Sequence, residues 1–301
     1  MFVLMMYYSV TSYLEELSSE KIFKFMNVFN VSLFLLIFIN IIIIVVDNNL
    51  FSASSIYMYK SYFSLPFGNS NYVAQIVLFF SVVFFIDVLS TRRLAYVVLF
   101  SLAIVSLLIL NSRSAIVALV FIICIHIISS MKKLKINLGA TLIIGVLVLV
   151  TIVINKNSVF LTLLFERFST EQVNILARLT QYSHIYHIIY NNGVVRFFFG
   201  NGMGTETNIL DGLLIHNIIL KLIYSAGIIG ALVYILYYFI VLKDFKNVSF
   251  EGFRLKKYFY GVAALGITSF MEPVMYTAFI EFFLVVYVAF LSVVKKLSKL
   301  Q

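Results

Sequence analysis

Apolar residues in this chain gather into long, nearly unbroken runs separated by short polar intervals. A helix that crosses the hydrocarbon of a bilayer needs about 20 consecutive, mainly apolar residues. Phe25 to Val46 is one such run, flanked by Lys24 and Asp47, and its Ile41–Val46 block is almost purely β-branched. In water that block would suit a strand. In lipid an open strand would leave its backbone groups unpaired, so a helix is predicted. Further runs follow at Tyr72–Ser90, Leu94–Leu110, Ser114–Ser129 and Asn137–Asn155. After a long polar interval come Asn217–Leu242, Tyr258–Met271 and Met275–Val294, which makes eight predicted spans. Met1–Leu14 is a candidate ninth; it is brief, ends in Glu15 and Glu16, and lacks the basic start and small-residue cleavage site of a signal peptide. No internal repeat, low-complexity tract or soluble second domain is evident. The expected fold is all-α: a polytopic transmembrane helical bundle in which residues 1–301 form a single integral membrane domain.

Composition agrees with the pattern. Hydrophobic residues make up 62% of the chain, charged residues 12%, and the mean hydropathy is +1.04. Soluble domains carry about 45–50% apolar and about 25% charged residues, so a single water-soluble core is excluded. The single cysteine, Cys124, sits within a run and permits no internal disulfide. Tryptophan is absent, which leaves Tyr and Phe to form the interfacial belts.

The net charge of +9 reads as a set of topology signals and not as a nucleic-acid surface. Numbering the gaps between runs separates the basic residues. One set holds Lys21, Lys24, Arg92, Arg93, Lys132, Lys133, Lys135, Lys243, Lys246, Arg254, Lys256, Lys257, Lys295, Lys296 and Lys299. The alternate set holds Lys60, Arg113, Lys156, Arg167, Arg178 and Arg196, while Lys221 falls inside a run. With 15 basic residues against 6, the first set is expected in the cytoplasm, with the C-terminus.

The outer face then receives Asp47–Asn71, the Asn111–Arg113 turn, the turn at Glu272-Pro273, and the long interval from Lys156 to His216. Only this last interval, residues 156–216, has room for a sizeable extracytoplasmic loop, and long loops are disproportionately functional. Two helices are predicted in it. Ser158–Phe168 has the aromatic and leucine face of a helix lying at the interface. Thr170–Tyr190 follows a Ser169/Gln172 capping-box pattern and stops at Asn191-Asn192-Gly193.

The chemistry available outside is sparse. No Asp-x-Asp pair, nucleophile elbow or Walker loop is present there, and His184 and His187 lack a third ligand, so no metal and no cofactor is expected. Arg113, Arg178 and Arg196 are on the side that topology signals disfavour. Guanidinium groups there suit phosphate, for which arginine offers a planar bidentate fork; Arg113 also reads as a snorkelling residue at a helix end. Gly200, Gly202 and Gly204 alternate in a stretch whose backbone N–H groups can wrap an oxyanion, or which is a plain flexible loop. His216 opens a helix, where the dipole keeps imidazole neutral as a base; the competing role is a polar cap. Within the runs, Asp87 and His126 lie near cytoplasmic ends, within snorkelling reach, whereas Glu281 is deeper and faces the bundle or a cavity.

Taken in order, Phe67–Asn71 (Phe-Gly-x-x-Asn), Ser112-Arg113-Ser114, Arg178, Gly200–Gly204, His216-Asn217 and Gly227–Gly230 resemble the O-antigen ligase and polymerase family of bacterial surface-polysaccharide enzymes, over about Phe67 to Leu242. The helix opened by His216-Asn217 ends, in this pattern, at Ser225–Gly230. The resemblance implies a metal-independent inverting glycosyltransferase acting on a polyprenyl-pyrophosphate-linked glycan donor and acceptor at the membrane lipid surface, with a chain-length regulator protein as a further partner. It implies that Arg178 and His216, with Arg113, matter most: His216 as the catalytic residue and Arg113 and Arg178 as pyrophosphate-binding, a role for which the outer-face charge reading also nominates Arg196. Family members often have ten to fourteen spans, more than the eight or nine read here. Three functions stay open: a polymerase of repeat units for O-antigen or capsule, a ligase moving finished glycan to another acceptor, and a transporter or flippase of lipid-linked glycan. The last is expected to show internal repeats and broken helices, and the sequence displays neither.

Overall fold

The computed structural model describes residues 2–48, 62, 70–130, 171–191, 193–202, 215, 217–247, 253–269 and 278–298. Among them the chain is helical and without strands. In order the helices are α1 (Phe2–Glu15), α2 (Ser19–Asp47), α3 (Ser70–Thr91), α4 (Leu94–Leu110) and α5 (Arg113–Ser130). They continue as α6 (Glu171–Asn191), α7 (Gly193–Phe199), α8 (Ile218–Asn247), α9 (Phe253–Ser269) and α10 (Ala278–Ser298). The predicted runs Asn137–Asn155 and Ser158–Phe168 lie outside the described residues, and the architecture of the whole interval 156–216 is not visible in them.

Among the described residues, three helices are long and apolar enough to cross a membrane: α2, α3, and α8 from Ile218 to Asp244. The helices α4 and α5, the latter from Arg113 to His126, are shorter apolar helices. Helix α1, at 14 residues, is about 21 Å long, short of the roughly 30 Å hydrocarbon core. It packs along α10, as the Tyr7 hydroxyl donating to Ser292 Oγ at 3.1 Å records.

Helix α3 is the axis. Of its apolar stretch 89% is buried, against 28% for α2 and 22% for α8, because α2, α4, α5 and α9 all pack on it. The outer helices bury one stripe and expose an apolar one. On α2, Phe34, Ile37 and Ile41 turn inward while Leu36, Ile39 and Ile43 stay exposed. On α8, Leu232, Val233, Leu236, Phe239 and Ile240 are exposed. An apolar exterior of this extent is the surface of a molecule solvated by hydrocarbon and not by water.

Between helices that are uniformly apolar, specificity comes from ring packing and small residues. Phe34 meets Phe84 edge-on at 5.2 Å, and Phe79 contacts Phe283 at 4.9 Å and Tyr287 at 4.7 Å. Tyr258 and Phe290 extend this cluster at 5.3 Å. Gly261 makes room for it: a Cβ there would lie 2.8 Å from the Phe79 ring. Several buried polar side chains are matched by partners across helices. Tyr287 donates to Asn30 Oδ1 at 2.6 Å, and Asn30 Nδ2 donates to the Tyr258 hydroxyl at 3.2 Å. Thr268 is hydrogen-bonded to Gln75.

Among the described residues, three ion pairs fix which helix ends lie together. Lys257 on α9 pairs with Asp87 near the end of α3 at 2.9 Å and donates to Asn27 near the start of α2 at 2.8 Å. Lys295 on α10 meets Asp244 at the end of α8, and Lys296 meets Glu15 at the end of α1. Members of the larger basic set therefore gather at one end of the bundle. Arg113, at the start of α5, and Ile218, at the start of α8, lie at the other.

Two expectations are corrected. Asp87 and His126 do not snorkel. Asp87 is 8% exposed and ion-paired, and His126 is 5% exposed, between Phe85 and Tyr260. Lys257 does not belong to a loop ahead of the last spans: α9 starts at Phe253 and buries it. For Asp87 and Lys257 the cause is shared: a carboxylate that finds an ammonium partner across the bundle no longer needs water.

Candidate functional site

The end opposite the ion pairs carries most of the residues nominated by the sequence, and it is organised around a break in α8. Gly227 there has φ 68° and ψ −179°, which no helix accommodates and which glycine alone adopts readily. The Asn217–Leu242 run is therefore two helical pieces, and the expectation of unbroken helices fails at this point. The Ser225–Gly230 segment breaks the helix at Gly227 without ending it.

In an unbroken helix the carbonyls of Tyr224 and Ser225 would accept from residues 228 and 229. Here Asn201 N–H donates to Tyr224 O at 2.8 Å and Gly202 N–H to Ser225 O at 2.9 Å. Asn201 Nδ2 adds a bond to Tyr224 O at 3.1 Å. The two backbones touch: a side chain at Gly200 would collide with the Ser225 carbonyl, and one at Gly227 with the Phe198 carbonyl. Gly200 N–H donates to Arg196 O at 2.8 Å, closing α7. The amides of residues 200 to 202 are thus engaged within the chain. In this part the glycine-rich stretch is a clasp that docks α7 onto the break, and not a cradle offered to an oxyanion. Gly204 lies outside the described residues.

Helix α6 joins the same assembly. Ile185 and Ile189 bury against Ile215 and Tyr224 in a small core separate from that of the bundle, with Leu220 and Ile223 at its edge. The helix ends at Asn191, as the Asn-Asn-Gly breaker predicts, and Gly193 with φ 80° starts α7. His184 and His187 are exposed on α6, and among the described residues no group of three His, Cys, Asp or Glu could hold a metal.

His216 itself lies outside the described residues, but both neighbours are defined. Ile215 is wholly buried in the small core. Asn217 caps α8: its Oδ1 accepts from Ile219 N–H at 2.9 Å and Leu220 N–H at 3.1 Å. The capping role that competed for His216 is filled by Asn217.

The arginines divide. Arg178 is on α6, and Arg196 is exposed in the last turn of α7 beside Phe197, Phe198 and Phe199. Arg113 opens α5, after Asn111 in the left-handed region at φ 49° and beside a Ser112–Ser114 hydroxyl contact of 3.4 Å. Helix α5 packs on α3 and α9, while α6 and α7 pack on α8. Arg113 is at the same end of the molecule, on the neighbouring helix group. Of Phe67–Asn71 only Ser70 and Asn71 are described, in the first turn of α3.

Sequence reasoning missed Lys257, Asn27 and the Asn30–Tyr258–Tyr287 network. The signal for Lys257 was Asp87 itself: a carboxylate inside an apolar run demands a partner. A scan against models of known protein families and a search of curated proteins returned no match for the chain.

Proposed function

We propose that this chain is an integral membrane glycosyltransferase that polymerises polyprenyl-pyrophosphate-linked repeat units at the extracytoplasmic face. The observation that carries the reading is the grouping of α6, α7, the Gly200–Gly202 clasp and both neighbours of His216 around the first turns of α8, at the end away from the larger basic set. That grouping gathers most of the motif residues through which the sequence resembles the polymerase family. Transfer from a pyrophosphate leaves a doubly phosphorylated leaving group. Arg113, Arg178 and Arg196 offset that developing charge. The acceptor hydroxyl is a weak nucleophile, and His216, next to the N-terminus of α8, takes its proton.

Replacing a general base typically lowers the rate by about 10²–10⁴. Cells carrying His216→Ala are expected to accumulate single lipid-linked repeat units on the outer face, to make almost no long chains, and to keep normal membrane levels of the protein. Gel analysis of surface glycan beside an immunoblot of the same membranes reads both quantities. Normal chain length from a well-expressed variant removes the mechanism. A ligase lesion would leave finished chains on the lipid carrier.

One observation favours a second reading, transport of a lipid-linked glycan. The α8 break at Gly227 is the kind of interruption from which transporters build their sites. In that case the His216→Ala repeat units would remain on the inner leaflet, out of reach of an external glycan-oxidising probe.

A further inference from the structure

At the basic end of the bundle, a cleft of about 840 Å³ opens between the start of α2, the α3–α4 turn and the start of α9. Its floor is the Asp87–Lys257 pair with Asn27. The Lys257 ammonium donates at 2.8 Å to Asn27 and at 3.1 and 2.9 Å to the two Asp87 oxygens, so its donors are engaged inside the protein. The rim is different. Lys24 and Arg93 are exposed, and no hydrogen bond or ion pair within the described residues engages either side chain or the Tyr96 hydroxyl. With Asp87 and Lys257 neutralising each other, the ionic lining that remains is Lys24 and Arg93 against Glu20, a surplus of one positive charge. The rest of the wall is apolar, from Phe23, Val28 and Leu89, and Val28 is 57% exposed on the outer side of α2. A cationic rim joined to an apolar wall at the edge of the bundle matches an amphiphile whose phosphate lies at the water boundary.

We propose that this cleft binds an anionic phospholipid, its headgroup phosphate held by Lys24, Arg93 and Tyr96 and an acyl chain lying along Phe23, Val28 and Leu89. The chemistry is direct. Arginine offers phosphate a two-pronged donor set, and lysine adds a point charge. Basic pockets between transmembrane helices on the cytoplasmic side are suited to lipid headgroups, because that leaflet carries the negative surface potential. Arg93 is held in place by the α3–α4 turn, where Arg92 adopts φ 54° and the Arg93 N–H donates to Thr91 Oγ1 at 3.4 Å. The buried ion pair beneath keeps α2, α3 and α9 at the spacing that defines the cleft. The inference rests on the membrane reading and is independent of glycosyl transfer, so a His216→Ala protein binds the lipid as the wild type does.

The test uses the full chain purified in detergent with phosphatidylcholine. Heat stability is read as the fraction remaining monodisperse, with and without added phosphatidylglycerol. Wild type is expected to gain about 5 °C at lipid well above its dissociation constant. Lys24→Gln/Arg93→Gln is expected to lose that gain. Lys21→Gln/Lys243→Gln removes equal charge from outside the cleft and is expected to retain it. Inorganic phosphate alone is expected to give no shift, since it cannot use the apolar wall. Equal gains for all three proteins, no gain for wild type, or a gain from inorganic phosphate matching that from lipid would each overturn the proposal. Should the Lys24/Arg93 variant not accumulate, native mass spectrometry of wild type in an equimolar mixture of the two lipids decides. Preferential retention of phosphatidylglycerol supports the assignment, and equal retention removes it.

Discussion

Asp87 and Lys257 are 5–11% exposed as side chains and come from helices 170 residues apart in the chain. Each is tolerable inside the bundle only because of the other. Removing one partner of a buried pair leaves an uncompensated charge at a cost of about 3–5 kcal/mol, whereas replacing both by apolar groups of similar volume is often neutral or stabilising. Asp87→Ala and Lys257→Ala are each expected to fall sharply in membrane abundance, and Asp87→Leu/Lys257→Met to recover it. Immunoblots of membranes and heating curves of the purified proteins measure this. Single variants as stable as wild type would show that the pair contributes nothing. At this scale the sequence was half legible. Asp87 stood out as an ionisable residue in an apolar run, but Lys257 was hidden among fifteen basic residues that mark topology. Local composition cannot tell a lysine that faces water from one that faces a carboxylate across the bundle.

Among elements, the clasp between α7 and α8 makes a quantitative distinction between two glycines. Gly193 has φ 80° but open space around it, so alanine there meets only backbone strain, about 1–2 kcal/mol. Gly227 has φ 68° and would also drive a Cβ into the Phe198 carbonyl. Gly227→Ala is therefore expected to detach α7, while Gly193→Ala leaves it docked. Trypsin cleavage after the exposed Arg196, followed by mass spectrometry on the purified protein, reports the difference. Equal cleavage rates in the two variants would mean that the close backbone contact does not hold α7. Element boundaries were partly legible: apolar runs located α3 to α5 to within two residues, missed the ends of α2, α8, α9 and α10 by up to about six because polar first and last turns lie beyond the runs, and Asn191–Gly193 marked the end of α6. The break in α8 was not, because glycine within a membrane run is common and tolerated. What turns Gly227 into a break is a partner backbone supplied by residues 198–202, which a reading of the run alone cannot contain.

For the molecule as a whole, orientation follows from the end at which the ion pairs lie. Lys257, Lys295 and Lys296, all from the larger basic set, meet their acidic partners there. By the positive-inside rule this end is expected in the cytoplasm and the α6–α7 assembly outside. A reporter active only outside the membrane is expected to work when fused after Asn192 and to stay silent after Phe250. The reverse pattern would invert the topology and with it the proposed function. The helical class and the gathering of basic residues at one end of the bundle were legible because both follow from composition along the chain. The small core of Ile185, Ile189, Ile215 and Tyr224 was not, because it joins a loop helix to a span across residues whose local pattern is unremarkable.

The separation of Asp87 from Lys257 also sets a timetable for biogenesis. Chains emerge at about 5–20 residues per second, so Asp87 leaves the ribosome roughly 10–30 s before the lysine that will neutralise it, 170 residues later. Helix α3 is most deeply enclosed in the finished protein, yet for that interval it can share the membrane only with α1, α2 and the helices that directly follow it. Nascent chains arrested before α9 are thus left with a solitary carboxylate at the membrane boundary. Such fragments differ from the completed bundle by one unneutralised carboxylate.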